Sequence, residues 1–144
     1  MALRLLIAED SPIVQQSIRD LLRTADVLSV VTTGDGADAV ALAHESVPDV
    51  AILDYAMPGM NGIDAARLIR QRHPDMPIIL LTSSSAEYLI AAAFAAGIRG
   101  YILKGDAGDD LVRAIDAVRH GGTYLSPGAS RALYERYLPM RGVA

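Results

Sequence analysis

The sequence contains no cysteine and no tryptophan. Without cysteine there is no disulfide framework, no thiolate metal site and no cysteine nucleophile. Long apolar runs are missing as well. A membrane-spanning helix needs about 20 consecutive apolar residues, and every stretch here is broken sooner by a charge or a turn residue. The apolar segment from Leu3 to Ala8 is too short for the apolar region of a signal peptide and runs straight into Glu9 and Asp10. Nor is positive charge in excess: a net charge of −4 and a pI near 5.2 argue against nucleic-acid binding by overall electrostatics. What is present is an apolar fraction of 51% in 144 residues, which excludes a disordered chain and suits one domain. A domain of this size buries roughly 70% of the surface its unfolded chain exposes. The expectation is a cytoplasmic protein with no membrane segment.

The apolar residues fall into short runs. Leu3 to Ala8, Val27 to Val31, Val50 to Leu53, Ile78 to Leu81 and Tyr101 to Leu103 read as strands. The third and fourth are continuously apolar, as expected of strands covered on both faces. Segments of helical spacing lie between them. Ser11-Pro12 offers an N-cap followed by proline at the first helical position, and Ile13, Ser17, Ile18, Leu21 and Leu22 are expected to share the inward face. Asp35 to Ser46, Asn61 to Arg72, Ala86 to Ala96 and Ala107 to Arg119 continue the series. The alternation implies βαβ crossovers and a doubly wound α/β fold, flavodoxin-like and (βα)5, with a parallel sheet of order 2-1-3-4-5. After Gly121-Gly122 the segment Thr123 to Pro127 reads as a turn and N-cap. A short amphipathic helix or linker follows, with Ala129, Leu133 and Tyr137 on one stripe, until Pro139 stops it. This divides the chain into residues 1–121 and a tail of residues 122–144.

In an open parallel sheet, ligands bind beyond the carboxyl ends of the strands. There the first strand ends in Glu9-Asp10, the third in Asp54, the fourth in Thr82 and the fifth in Lys104. Order 2-1-3 makes the first and third strands neighbours, so three carboxylates converge, with Lys104 offsetting one charge. Oxygen donors without cysteine or histidine point to a hard cation, best a partly hydrated Mg2+. A cation, a lysine, a hydroxyl and a carboxylate nucleophile together make a phosphoryl-transfer centre, with Asp54 as the nucleophile. Each residue alone has a plainer reading: a solvated loop for Glu9-Asp10, a turn former for Asp54, a helix cap for Thr82, a surface cation for Lys104. Complementary groups at four of the five strand ends argue for the site. His44, His73 and His120 lie near helix ends and suit surface or capping roles.

Glu9-Asp10, Asp54 followed by Met57-Pro58-Gly59-Met60-Asn61-Gly62, Thr82-Ser83 and Tyr101-Ile102-Leu103-Lys104 together resemble the receiver domain of bacterial two-component response regulators, over about residues 1 to 121. The resemblance implies that Asp54 accepts phosphate from a phosphohistidine on a sensor histidine kinase. It implies that Asp10 binds Mg2+ directly, Glu9 does so through water, and the backbone carbonyl of Ala56 completes the protein ligands. Lys104 then pairs with the phosphoryl group and Thr82 hydrogen-bonds it. Tyr101 is the aromatic switch that turns inward when Thr82 moves, altering the surface of the fourth helix, fifth strand and fifth helix so that a homodimer or an output partner can form. Such a receiver catalyses only its own phosphorylation and dephosphorylation. The segment Ala117 to Pro127 is similar to the subfamily whose receivers precede a LuxR-type helix-turn-helix output domain, which residues 122–144 do not supply. DNA contact is expected only through such a domain, since Arg131, Arg136 and Arg141 are too scattered to form a site.

Two departures stand out. Gly105 follows Lys104 where many receivers carry proline, so the loop into the fifth helix is expected to be looser. Ala56 and Ser84 are small where the family often carries bulky or charged side chains, which leaves water less obstructed. Two alternatives remain at this stage. An Asp-nucleophile phosphatase also places aspartate at a strand end with Mg2+, but it usually carries an acid two residues on, where this chain has Ala56. A phosphorylation-independent interaction module is favoured only by Gly105.

Overall fold

Continuous apolar runs have no polar face to offer water, so they must lie inside the sheet. The computed structural model, which describes residues 3–24 and 27–143 and all their side chains except those of residues 24, 28, 109 and 136–143, places them there. Strands β1 (Leu3–Ala8), β2 (Val27–Thr33), β3 (Val50–Asp54), β4 (Ile78–Thr82), β5 (Gly100–Leu103) and β6 (Tyr124–Leu125) form one parallel sheet of order β2-β1-β3-β4-β5-β6. Every residue of β3 and β4 is buried.

The helices are α1 (Pro12–Leu21), α2 (Gly36–Ser46), α3 (Gly62–Arg72), α4 (Glu87–Ala95), α5 (Ala107–Arg119) and α6 (Pro127–Val143). Alternate strand residues face opposite layers. Leu5, Ile7, Ile52, Ile79 and Ile102 pack against Ile18 and Leu22 from the α1 segment and Leu111, Ile115 and Val118 of α5. Leu6, Leu53, Leu80 and Tyr101 pack against Ala39 and Ala43 of α2, Ala65, Ala66 and Ile69 of α3, and Leu89, Ile90 and Ala93 of α4. Each large aliphatic side chain so buried contributes about 1.5–3 kcal/mol.

Capping fixes where three helices begin. Ser11 accepts from the Val14 amide at 3.4 Å, Asp35 from Ala37 at 2.8 Å and Asp38 at 3.0 Å, and Asn61 from Asp64 at 2.9 Å. Because each of these helices follows a strand, all three caps sit at the carboxyl edge of the sheet.

Four expectations need correction. The sheet has a sixth strand, so its order is 2-1-3-4-5-6 rather than 2-1-3-4-5. Two residues are too few to show a period. What makes them a strand is β5, whose free edge accepts from the Tyr124 amide at Arg99 and from the Ser126 amide at Tyr101. In α1 the inward stripe is Val14, Ile18 and Leu22. Ile13 is 79% exposed and Ser17 also faces out, because the i, i+4 row through Val14 is the one aimed at the sheet. The plainer reading of Thr82 as a helix cap does not hold, because α4 takes no side-chain cap and Ala86 stands at its N-cap. Pro139 does not stop α6, which runs on to Val143, since an interior proline withdraws one hydrogen bond and need not end a helix.

Tyr124, Leu125, Ala129 and Leu133 therefore pack against the core. Ala129 is fully buried, Leu133 packs against the α2/α3/α4 layer, Tyr134 is exposed, and the Tyr137 side chain lies outside the described residues. The surface of α4, β5 and α5 accordingly includes β6 and α6. His44 and His73 bring the ends of α2 and α3 together, ring centroids 5.2 Å apart, and burial with the nearby Arg72 and His73 charges holds His44 below its usual pKa. No helix among the described residues is long and apolar enough to cross a membrane.

Candidate functional site

The carboxyl ends of β1, β3, β4 and β5 assemble one polar site. Glu9 follows β1 directly and is fully buried, its amide bonded to the Thr33 carbonyl at 2.8 Å. Asp54 ends β3 and is 2% exposed. Glycine is needed just beyond it, because a Cβ on Gly62 would lie 2.4 Å from the Asp54 carbonyl oxygen. That close approach seats α3 directly under the loop of residues 55–61, in which Ala56 is exposed.

Two buried carboxylates so close would repel each other strongly in a low-dielectric setting. Lys104 Nζ reaches between them, 2.9 Å from Glu9 Oε1 and 3.1 Å from Asp54 Oδ2. Burial works to lower the Lys104 pKa, but the hydrogen bonds and charges of Glu9 and Asp54 together outweigh it and hold the ammonium above its usual value. The other Glu9 oxygen accepts from the Ser11 amide at 3.3 Å.

Asp10 is exposed at the mouth of this cluster, and one oxygen each from Glu9, Asp10 and Asp54 lie within 4.8 Å of one another. Three carboxylates and one ammonium carry a formal charge of −2. Oxygen-only donors with that residual charge suit a hard divalent cation such as Mg2+. Both carboxylate oxygens of Glu9 already have protein partners, whereas Asp10 faces solvent and is free to coordinate directly.

Thr82 ends β4, nearly buried, and its Oγ1 accepts from the Ser84 amide at 3.1 Å. Tyr101 lies fully inward from β5 and donates to the Ser84 carbonyl at 2.6 Å. Burial, with the Tyr88 and Tyr55 hydroxyls adding and a Thr82 hydrogen bond opposing, pushes Tyr101 up to about 12. The resemblance links Thr82 and Tyr101 through an inward turn of Tyr101 when Thr82 moves. In the structure they hold the same residue, Ser84, one by its N–H and the other by its C=O.

The turn after Lys104 is hydrogen-bonded to the segment that follows α5. Lys104–Asp106 forms a single 3-10 turn, and Asp106 is anchored to Ser126 at 2.9 Å and to the Gly128 amide at 2.8 Å. Reading the strand ends missed both residues, which come from the segments that follow. The sequence signal was the Ser126-Pro127 cap, taken there only as a helix start.

The sequence from residue 5 to 116 matches the response regulator receiver domain. The chain is 31% identical over 136 residues to the transcriptional regulatory protein DegU of Brevibacillus brevis, covering 94% of this chain and 58% of that protein. The chain thus spans little more than half the length of the curated relatives it matches. It superposes on a LuxR-family two-component response regulator from Aurantimonas sp. SI85-9A1 with a TM-score of 0.86 and 30% identity, covering 96% of this chain and 99% of that one. The isolated REC domain of RcsB from Salmonella enterica serovar Typhimurium, in the presence of phosphomimetic BeF3−, gives a TM-score of 0.83 and 29% identity over 92% of this chain and 99% of that one. With the family's sequence match spanning the strands that carry Glu9, Asp54, Thr82 and Lys104, the chain belongs to the response regulator receiver domain family.

Proposed function

We propose that this receiver is a phosphorylation-controlled switch whose phosphoacceptor is Asp54, served by a sensor histidine kinase. The observation that carries the reading is the Lys104 ammonium held between two buried carboxylates, Glu9 and Asp54, with Asp10 beside them. Buried charge of this kind is costly and gains its return from what it can bind. Asp54 attacks the phosphorus of a phosphohistidine; the P–O bond forms as the P–N bond breaks, and the electron pair returns to the imidazole, which is protonated. Mg2+, held by Asp10, Asp54, the Ala56 carbonyl and, less directly, Glu9, would neutralise phosphoryl oxygens as charge builds on them. Lys104 exchanges part of its bond to Asp54 for a phosphoryl oxygen, and the Thr82 hydroxyl donates to another.

A phosphoryl group adds close to two negative charges and three acceptor oxygens. Drawing Thr82 toward it pulls on the Ser84 amide, and Tyr101 is bonded to the carbonyl of that same residue. The consequence is a changed surface around α4, β5, β6 and α6, which pairs with a second receiver or with an output domain. The chain acts in the cytoplasm, catalyses only its own phosphorylation and dephosphorylation, and reaches DNA only through an output domain. Incubation with acetyl phosphate and Mg2+ should add one phosphoryl group by mass spectrometry, and Asp54→Asn should abolish it. Labelling that survives in Asp54→Asn, or its absence from the unaltered protein, overturns the proposal.

A further inference from the structure

Where the Lys104 turn meets α6, one carboxylate is used in an unexpected way. Asp106 stands at the N-cap of α5, where an aspartate ordinarily turns onto the first amides of its own helix. It makes no such bond, and two residues on the backbone of Gly108 departs from helical geometry (φ −30°, ψ −114°). Its Oδ2 instead accepts from the Ser126 hydroxyl at 2.9 Å and the Gly128 amide at 2.8 Å, so it caps α6. Ser126 is fully buried, and its Oγ accepts from the Leu103 amide at 3.1 Å. One hydroxyl therefore ties the residue before Lys104 to the residue two beyond it, and both to the first turn of α6. The packing leaves no slack: a Cβ on Gly128 would lie 2.6 Å from Asp106 Oδ2 and 2.6 Å from Leu103 Cδ1.

We propose that Asp106 is a positioning residue that locks the Lys104 turn to the N-terminus of α6, so that displacement of Lys104 is delivered to α6 directly, without passing through Tyr101. The signalling half of this inference rests on the function proposed above; the mechanical half does not. Lys104 and Asp106 belong to one three-residue turn, so a backbone displacement at Lys104 arises two residues from the Asp106 carboxylate. When the backbone at Lys104 follows its ammonium toward a phosphoryl group, Asp106 carries Ser126 and Gly128 with it or releases them. Release leaves a buried hydroxyl and a helix amide without a partner, which disfavours it. Helix α6 packs on β5 and α4, so its first turn reports to the same surface that the Tyr101 route alters.

Amide hydrogen exchange on the full chain tests both halves. Without any phosphate analogue, Asp106→Ala should raise exchange by about fivefold, the ratio expected for loss of one helix cap, both at residues 127–130 and at residues 103–107. Asp106→Asn keeps one acceptor oxygen and should restore protection at both. With beryllofluoride and Mg2+, the unaltered protein should change exchange near Asp54 and in the first turn of α6. Asp106→Ala should keep the first response and lose the second. The inference fails if the Lys104 turn is unmoved by Asp106→Ala, if the asparagine variant behaves as the alanine one, or if the α6 response survives in Asp106→Ala. Absence of any beryllofluoride response in the unaltered protein counts against the phosphoacceptor reading instead, and leaves the analogue-free comparison to decide the mechanical coupling.

Discussion

The two ends of the strands use similar groups in opposite ways. At the amino end, the Arg4 amide donates to Asp49 Oδ2 at 2.8 Å, its guanidinium donates to the Ser46 carbonyl at 2.8 Å, and all of this is open to solvent. At the carboxyl end, Glu9 and Asp54 are 0% and 2% exposed, and Lys104 is their shared partner. Exposed pairs contribute under about 1 kcal/mol, while breaking a buried one costs about 3–5 kcal/mol. A fold gains little from buried like charges, and the amino end shows that this fold ties its strands without them. The carboxyl end is built to receive something charged.

The difference is broken most sharply at Lys104, the chain's only lysine. Lys104→Met leaves Glu9 and Asp54 facing each other without a cation. Because Lys104 is about a third exposed, with 32% of its side chain open to water, the cost falls below the fully buried range, at about 2 kcal/mol in metal-free buffer. The site's formal charge moves from −2 to −3, so Mg2+ should raise Tm more in the variant than in the unaltered protein. Thermal melts with and without Mg2+ check this, and an equal Mg2+ effect in both proteins would remove the claim that these charges form one electrostatic unit.

Tyr101 gives a smaller effect at the same end. Tyr101→Phe loses the hydrogen bond to Ser84 and should cost about 1 kcal/mol at neutral pH. The hydroxyl is held neutral up to about 12 in the fold, against about 10 when unfolded. Its contribution is therefore present in full below pH 10. Across the window from 10 to 12 the unfolded chain has lost a proton that the folded chain keeps, so stability falls as pH rises. Each pH unit of that window costs up to about 1.4 kcal/mol, so the gap between the unaltered protein and Tyr101→Phe should close and then reverse within it in denaturant titrations; a constant gap means that the tyrosine titrates normally.

Much of this arrangement was legible in the sequence, for reasons that differ by residue. The apolar runs of β3 and β4 and the caps Ser11, Asp35 and Asn61 are local signals, and the structure follows them. Glu9, Asp54, Thr82 and Lys104 were found together because a parallel sheet sends successive strand ends to one edge. The two-residue β6 was hidden, since an edge partner defines it. The phase of α1 was misjudged because Ile13 and Val14 are both apolar, and only the position of the sheet chooses between them. Asp106 was not singled out from the sequence, because its carboxylate serves α6, a choice made by residues about 20 positions further along.

The smallest effect should come from the amino end, and its smallness is informative. Asp49→Ala removes the acceptor for the Arg4 amide, which water can replace at an exposed position. The Asp49 amide still donates to the Arg4 carbonyl at 2.8 Å, so the start of β3 stays tied to the start of β1. A cost of about 0.5 kcal/mol is expected, with acetyl phosphate labelling and the Mg2+ dependence of Tm both unchanged. Loss of labelling in Asp49→Ala would mean that the two ends are coupled through β1 and β3, and that the carboxyl-end site depends on more than the groups gathered there. Retained labelling, beside the large response of Lys104→Met, places the chemistry at one edge of the sheet and leaves the other to hold the strands in register.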